Sequence, residues 1–193
     1  MKHTKTLIWS FVLLVIIAAI YRIIPGRPYG FAPQWAMAVF AGAVIKNRKW
    51  ALIMPVLSMF ISDLLFQLLY MGSLSDMAGF YGGQWQNYIL FALLVFIGFA
   101  IKKYNVLNIA AASLAAPAVY FLLSNFIVWS GWDGTRGLGR PKTWDGLMMC
   151  YADGIPFLMN SLIATLVFSA ILFGSFTLIR KSAERYASVG VDG

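Results

Sequence analysis

Apolar residues along this chain fall into six continuous runs parted by short polar connectors, at about 7–24, 31–45, 50–70, 85–101, 106–129 and 155–179. A helix needs roughly 20 residues to cross a hydrocarbon core about 30 Å thick. Lipid offers no partner to bare backbone N–H and C=O groups, so a spanning segment is either a helix or a strand of a closed barrel. Barrel strands alternate apolar and polar positions, and these runs do not. The pattern therefore predicts an all-α integral membrane protein with six transmembrane helices, in one membrane domain over 1–193.

Charge gives the runs a direction. Ten of the fifteen Lys and Arg residues occupy alternate connectors: Lys2 and Lys5, then Lys46, Arg48 and Lys49, then Lys102 and Lys103, then Arg180, Lys181 and Arg185. By the positive-inside rule these connectors lie in the cytoplasm, with both termini. The other face receives three outer loops, 22–30, 71–84 and 130–154, carrying Arg22, Arg27, Arg136, Arg140 and Lys142. The first run follows two lysines as a signal peptide does, but it is long for one and no small-residue cleavage site follows, so it reads as a retained helix. Composition agrees with a lipid environment: 61% of residues are apolar and 11% charged. The net charge of +8 flanks the apolar runs, which marks topology and lipid-headgroup contact and gives no sign of a nucleic-acid partner.

The chemistry gathers on the predicted outer face. Five of seven tryptophans fall there, Trp35, Trp85, Trp129, Trp132 and Trp144, more than an aromatic belt shared by two interfaces would place. Asp63 sits inside the third run, where an isolated carboxylate costs on the order of 2.5–3.5 kcal/mol. Gln67 and Tyr70 follow on its helical face. A structural ion pair with Arg22 or Arg27 would offset that cost and pin the first outer loop; a polar cavity wall is the other reading, and the two are compatible. Asp153, Phe157 and Asn160 share a face at the start of the sixth run, and Asn125 with Trp129 share one at the end of the fifth. Polar groups so placed either tie helices together or touch a ligand. Ala32 and Ala36, and Ala38 and Gly42, repeat small residues at four-residue spacing in the second run. They suit close helix packing inside the molecule or docking of a partner. Trp132-Asp133-Gly134 echoes Trp144-Asp145-Gly146, as two similar turns or a shared ligand contact.

Cys150 is the single cysteine, so there is no internal disulfide, and the single histidine, His3, is predicted on the opposite face. That disfavours a Cys–His nucleophile. A lone thiol can still serve as a soft ligand to a metal-bearing molecule. No phosphate-binding loop, dinucleotide fingerprint, metal-binding His cluster or hydrolase triad is present, and no resident cofactor is called for.

The order Arg22-Ile-Ile-Pro25, Phe31-Ala32-Pro33, Ser62-Asp63, Tyr81-Gly82, Ser124-Asn125, Gly146-Leu147, Cys150-Tyr151, Ile155-Pro156-Phe157 and Asn160 resembles a family of uncharacterised small bacterial membrane proteins, over nearly the whole chain. That family in turn resembles the substrate-binding S-components of energy-coupling factor (ECF) vitamin transporters, through size, six spans, topology and outer-loop design. The resemblance implies an S-component-like bundle in the bacterial inner membrane and capture of a small vitamin-like or cofactor-precursor molecule under the outer loops. It also implies delivery through a coupling subunit with two ATPases. Many S-components carry an Ala-x-x-x-Ala docking motif in helix 1; here the small-residue motif lies in the second run. This leaves room for a solitary S-component of the cobalamin type, in which a cysteine such as Cys150 would meet cobalt.

The expected ligand-binding set is Asp63, Gln67, Tyr81, Trp85, Asn125, Trp129, Trp132, Trp144, Cys150, Tyr151, Asp153 and Asn160, with the aromatic rings supplying stacking area and the polar groups orientation. The chain itself is expected to be no enzyme. The rivals are a membrane enzyme acting on a lipid or prenyl substrate, with Asp63, Asp133, Asp145 or Asp153 as acid–base groups, and an accessory membrane subunit that binds a protein.

Overall fold

The computed structural model describes residues 13–131 and 139–189, with side chains up to residue 182. It is all helical. Helix α1 is Leu13–Arg22, the described part of the first run, and α2 is Gln34–Val44. Then come α3 (Arg48–Met71), α4 (Gln84–Phe99), α5 (Val106–Ser130) and α6 (Trp144–Val189). Three of the six, α3, α5 and the Trp144–Ser182 part of α6, are long and apolar enough to cross a membrane.

Local chemistry sets several of the boundaries. Asn47 accepts hydrogen bonds from the Lys49 and Trp50 amides, and Asn105 accepts from the Asn108 amide, capping α3 and α5. Gly131 ends α5 with φ +67°, a conformation that L side chains resist. Pro55, Pro117 and Pro156 lie inside α3, α5 and α6, as prolines can in a bundle whose neighbours satisfy the freed backbone groups.

Helix α2 is the central post. Every residue from Gln34 to Gly42 is buried, and the helix touches α3, α4, α5 and α6. Its closest neighbour is α4, where Gly42 lies against Gly98. A Cβ at either position would collide with backbone of the other helix, the Val95 carbonyl for Gly42 and the Val39 carbonyl for Gly98. Ala32, Ala36 and Ala38 are buried as well. The small-residue stripe is thus buried in packing against neighbouring helices.

The core is continuous from Trp35, Phe91 and Tyr120 at one end to Phe40, Phe173 and Phe176 at the other. Outside it, large apolar side chains stand exposed along α3, α5 and α6, among them Phe60, Leu64, Leu122, Phe126, Ile163, Val167 and Ile171. A surface that is apolar on so many sides suits lipid better than water.

The connectors sort to two ends. At one end lie Ile45–Asn47 and Ala100–Asn105, where the Tyr104 hydroxyl donates to the Ala43 carbonyl at 2.7 Å and Arg48 stacks over Phe99. Lys46, Lys49, Lys102 and Lys103 belong to this end. At the other end lie residues 23–33, 72–83 and 139–143. Helix α6 begins at Trp144, eleven residues before the expected 155, so part of the anticipated outer loop is helical. The extra turns are held by α5: the Cys150 thiol donates to the Asn125 carbonyl (3.4 Å), and Tyr151 donates to the Leu122 carbonyl (3.1 Å).

Candidate functional site

Two polar assemblies occupy the end away from Lys46, Lys49, Lys102 and Lys103. The first is built on Asp63, which is 1% exposed. Arg22 reaches across from α1, pairs with one carboxylate oxygen and also bonds the Ser62 hydroxyl. Gln84 and Tyr88 of α4 donate to the other oxygen, Tyr88 at 2.8 Å. The network continues through Asn87. Its amide nitrogen donates to the Gln84 carbonyl (3.1 Å) and the Tyr81 hydroxyl (2.8 Å), while its oxygen accepts from the Tyr120 hydroxyl (2.8 Å). A single chain of hydrogen bonds thus runs from α1 through α3 and α4 to α5.

Arg27 does not join it. Its guanidinium bonds the backbone carbonyls of Arg22, Pro28 and Phe31, and burial, together with the neighbouring Arg22 charge, lowers its pKa from the ordinary arginine value. Gln67 accepts from the Phe80 amide at 3.2 Å, which fastens the 72–83 connector to α3.

The second assembly is a cavity of about 340 Å³ between α5 and α6, lined also by Gly30 and Trp35. Its walls are Pro117, Tyr120, Phe121, Ser124 and Asn125 from α5 and Asp153, Gly154, Phe157, Leu158 and Ser161 from α6. Gly154 makes the two helices' approach possible, since a Cβ there would stand 2.7 Å from Asn125 Oδ1 and 2.8 Å from Phe121 Cε2. Gly30, at φ +81°, lies so close to α6 that its own Cβ would meet the Phe157 carbonyl at 2.7 Å. Asp153 is held in a two-pronged pair with Arg140 at 2.7–3.0 Å, at the edge of the cavity. A smaller cavity of about 190 Å³ lies between α4 and α5 and is lined by Tyr81, Gln86, Asn87, Ser124 and Val128 among others. Ser124 borders both.

The residues expected to form one site therefore divide. Asn125 and Asp153 line the larger cavity and Tyr81 the smaller. Asp63 belongs to the ion-pair assembly, and Gln67 holds the 72–83 connector. Asn160 donates to the Tyr29 carbonyl at 2.9 Å and so ties the first loop to α6. Trp129 donates to the Pro141 carbonyl (2.8 Å) and carries Lys142 over its ring, while Trp85 and Trp144 are exposed. Cys150 is fully buried against α5, and Tyr151 packs on Phe121. Trp132 and Asp133 lie outside the described residues.

Trp35, Tyr120, Phe121 and Ser161 enter the cavity wall without having been expected there. Trp35 had the one visible signal, as a tryptophan in the first turn of an alanine-rich run. Among the described residues no cluster of three His, Cys, Asp or Glu side chains could hold a metal ion.

Three helices long and apolar enough to cross a membrane, with apolar flanks exposed, point to the class: an all-helical membrane protein. The chain belongs to DUF6580, a family of unknown function whose profile matches residues 2–187. No curated protein and no solved structure matches it.

Proposed function

We propose that this protein is a membrane receptor that takes up a small vitamin-like or cofactor-precursor molecule and holds it in the cavity between α5 and α6. The observation that carries the proposal is that cavity: about 340 Å³, with aromatic walls and a few polar groups. Small-molecule sites have this make-up and run to about 300–1,000 Å³. In the full reading all six helices cross the bacterial inner membrane and both termini lie in the cytoplasm. The cavity then opens outward, and a partner with its own ATPases, such as an ECF coupling subunit, drives release inward. The gathering of lysines at the opposite end supports that orientation.

The cobalamin form of the proposal draws little support. Cys150 is not in the cavity wall, its thiol is spent on the Asn125 carbonyl, and a corrin is far larger than the space available. The lipid- or prenyl-enzyme reading is also weaker. Asp63 has both oxygens hydrogen-bonded and Asp153 is paired with Arg140, so each already serves to tie the chain together.

The test is a thermal-shift screen of vitamins and their precursors on the purified full-length protein, beside Asn125→Leu, which replaces a polar group of the cavity wall by an apolar one. One compound should raise the melting temperature in a concentration-dependent way, and the variant should lose the effect. A panel without any shift, or an equal shift in the variant, refutes the proposal. Orientation is open to labelling, because the one native thiol is buried. A cysteine placed at Pro28 should react with an impermeant maleimide on intact cells, and one at Lys103 should not.

A further inference from the structure

Protein interiors hold few voids larger than a water molecule, yet two adjoin along one face of α5. Tyr120, Ser124 and Val128 are spaced by four residues, so they follow one another along a single stripe of that helix. Tyr120 lines the larger cavity, Val128 the smaller, and Ser124 both. A hydrogen bond also crosses the boundary. The Tyr120 hydroxyl, from the wall of the larger cavity, donates at 2.8 Å to Asn87 Oδ1, from the wall of the smaller. We propose that the two cavities are chambers of one site joined at Ser124, and that its ligand is a ring compound with a short, uncharged polar arm, the ring in the larger chamber and the arm in the smaller. The inference rests on the larger cavity being the binding site proposed above.

The walls divide the ligand's chemistry. Tyr120, Phe121 and Phe157 give the larger chamber its ring surface. The smaller chamber, about 190 Å³, is bordered by Tyr81, Gln86 and Asn87 and by the bare backbone of Gly82 and Gly83. That lining is polar but, among the described residues, holds no charged side chain. A charged arm would lose its hydration there without a counter-charge, whereas a hydroxyl or an amide would not. Ser124 is small, and its hydroxyl is turned back on the Phe121 carbonyl of its own helix at 3.4 Å. A larger side chain at this position would stand between the chambers. From Ser124 to Val128 the helix rises about 6 Å, the reach of an arm of about four carbons. The rival reading is a smaller chamber that holds only water.

Three probes that share one ring separate the possibilities: benzyl alcohol, 4-phenylbutan-1-ol with its longer neutral arm, and 4-phenylbutyrate with an anionic one. Ligand-observed NMR titration of the full-length protein in detergent, with protein-free detergent as the blank, gives their affinities. The long alcohol should bind at least about tenfold more tightly than benzyl alcohol, since each buried methylene is worth about fourfold and ordering the arm returns part of that gain. The butyrate should bind more weakly than the long alcohol. Ser124→Leu should bring the long alcohol down to the level of benzyl alcohol and leave benzyl alcohol binding in place, while Ser124→Ala should keep the whole gain. Val128→Phe enlarges a side chain of the smaller chamber's wall alone. It should act as Ser124→Leu does, and it serves if that variant does not fold. Equal binding of the two alcohols, or a gain that survives in both enlarged variants, leaves the smaller chamber to water and overturns the inference while the cavity proposal stands. Tightest binding of the butyrate overturns the uncharged arm. Binding of none of the three overturns both the joined site and the cavity proposal.

Discussion

Replacing Asp63 by alanine removes the acceptor on which three side chains converge. Arg22, Gln84 and Tyr88 all donate to its carboxylate, whose side chain is 2% exposed against 23% for Arg22. Each hydrogen bond to a charged group contributes about 1.5–3 kcal/mol net. Removing one partner of a buried pair costs about 3–5 kcal/mol, because the remaining charge loses its compensation. Arg22 retains some access to water along its flexible stem, which offsets part of that loss. We expect Asp63→Ala to destabilise the bundle by about 3–4 kcal/mol on this basis. Arg22→Ala should cost less, about 2 kcal/mol, since Asp63 keeps Gln84 and Tyr88. The double variant should then be more stable than the sum of the two single losses predicts, by about 1–2 kcal/mol. The assay is reversible unfolding in mixed micelles with rising SDS, followed by helical circular dichroism. A loss below about 1 kcal/mol for Asp63→Ala, or additivity of the two changes within about 0.5 kcal/mol, would show that the pair does not act as described.

Two further outcomes follow from close backbone approaches. Gly98→Ala should destabilise by about 1–3 kcal/mol, as overpacking does, because the added methyl meets Gly42 Cα at 2.9 Å and the Val39 carbonyl closer still; the same unfolding curves measure it. Gly30→Ala should cost clearly more than Gly26→Ala. Both glycines have positive φ, worth about 1–2 kcal/mol against an L side chain, but Gly26 faces open space whereas Gly30 abuts Phe157 and Ser161. Equal melting temperatures for the two variants would contradict the packing of the first loop on α6.

The number and kind of elements were legible because lipid leaves the backbone one choice in a long apolar run. Asp63 was legible for the complementary reason: a carboxylate among Leu and Phe demands a partner, and Arg22 was one of two cations near enough in the chain. What sequence could not supply was rotation about helix axes. Gln84 and Tyr88 share a face of α4, but nothing in their spacing says that this face meets Asp63. The same holds for Trp35, whose place among other outer tryptophans hid its separate role in the cavity wall. The start of α6 was misplaced because Gly146, Asp153, Gly154 and Pro156 all read locally as turn residues. In the folded chain Gly154 lets α6 lie close against Phe121 and Asn125 of α5, and such packing overrides the local propensity.

Helix α2 has eleven residues, a rise of about 16 Å, and α6 has 46, a rise of about 69 Å. A segment wrapped by its neighbours would be excused from matching the thickness of a bilayer, whereas α3, α5 and α6 carry exposed apolar flanks that would meet it. Thin and thick lipids would therefore load the outer helices, by tilt or stretch, and leave the central one as a fixed spacer.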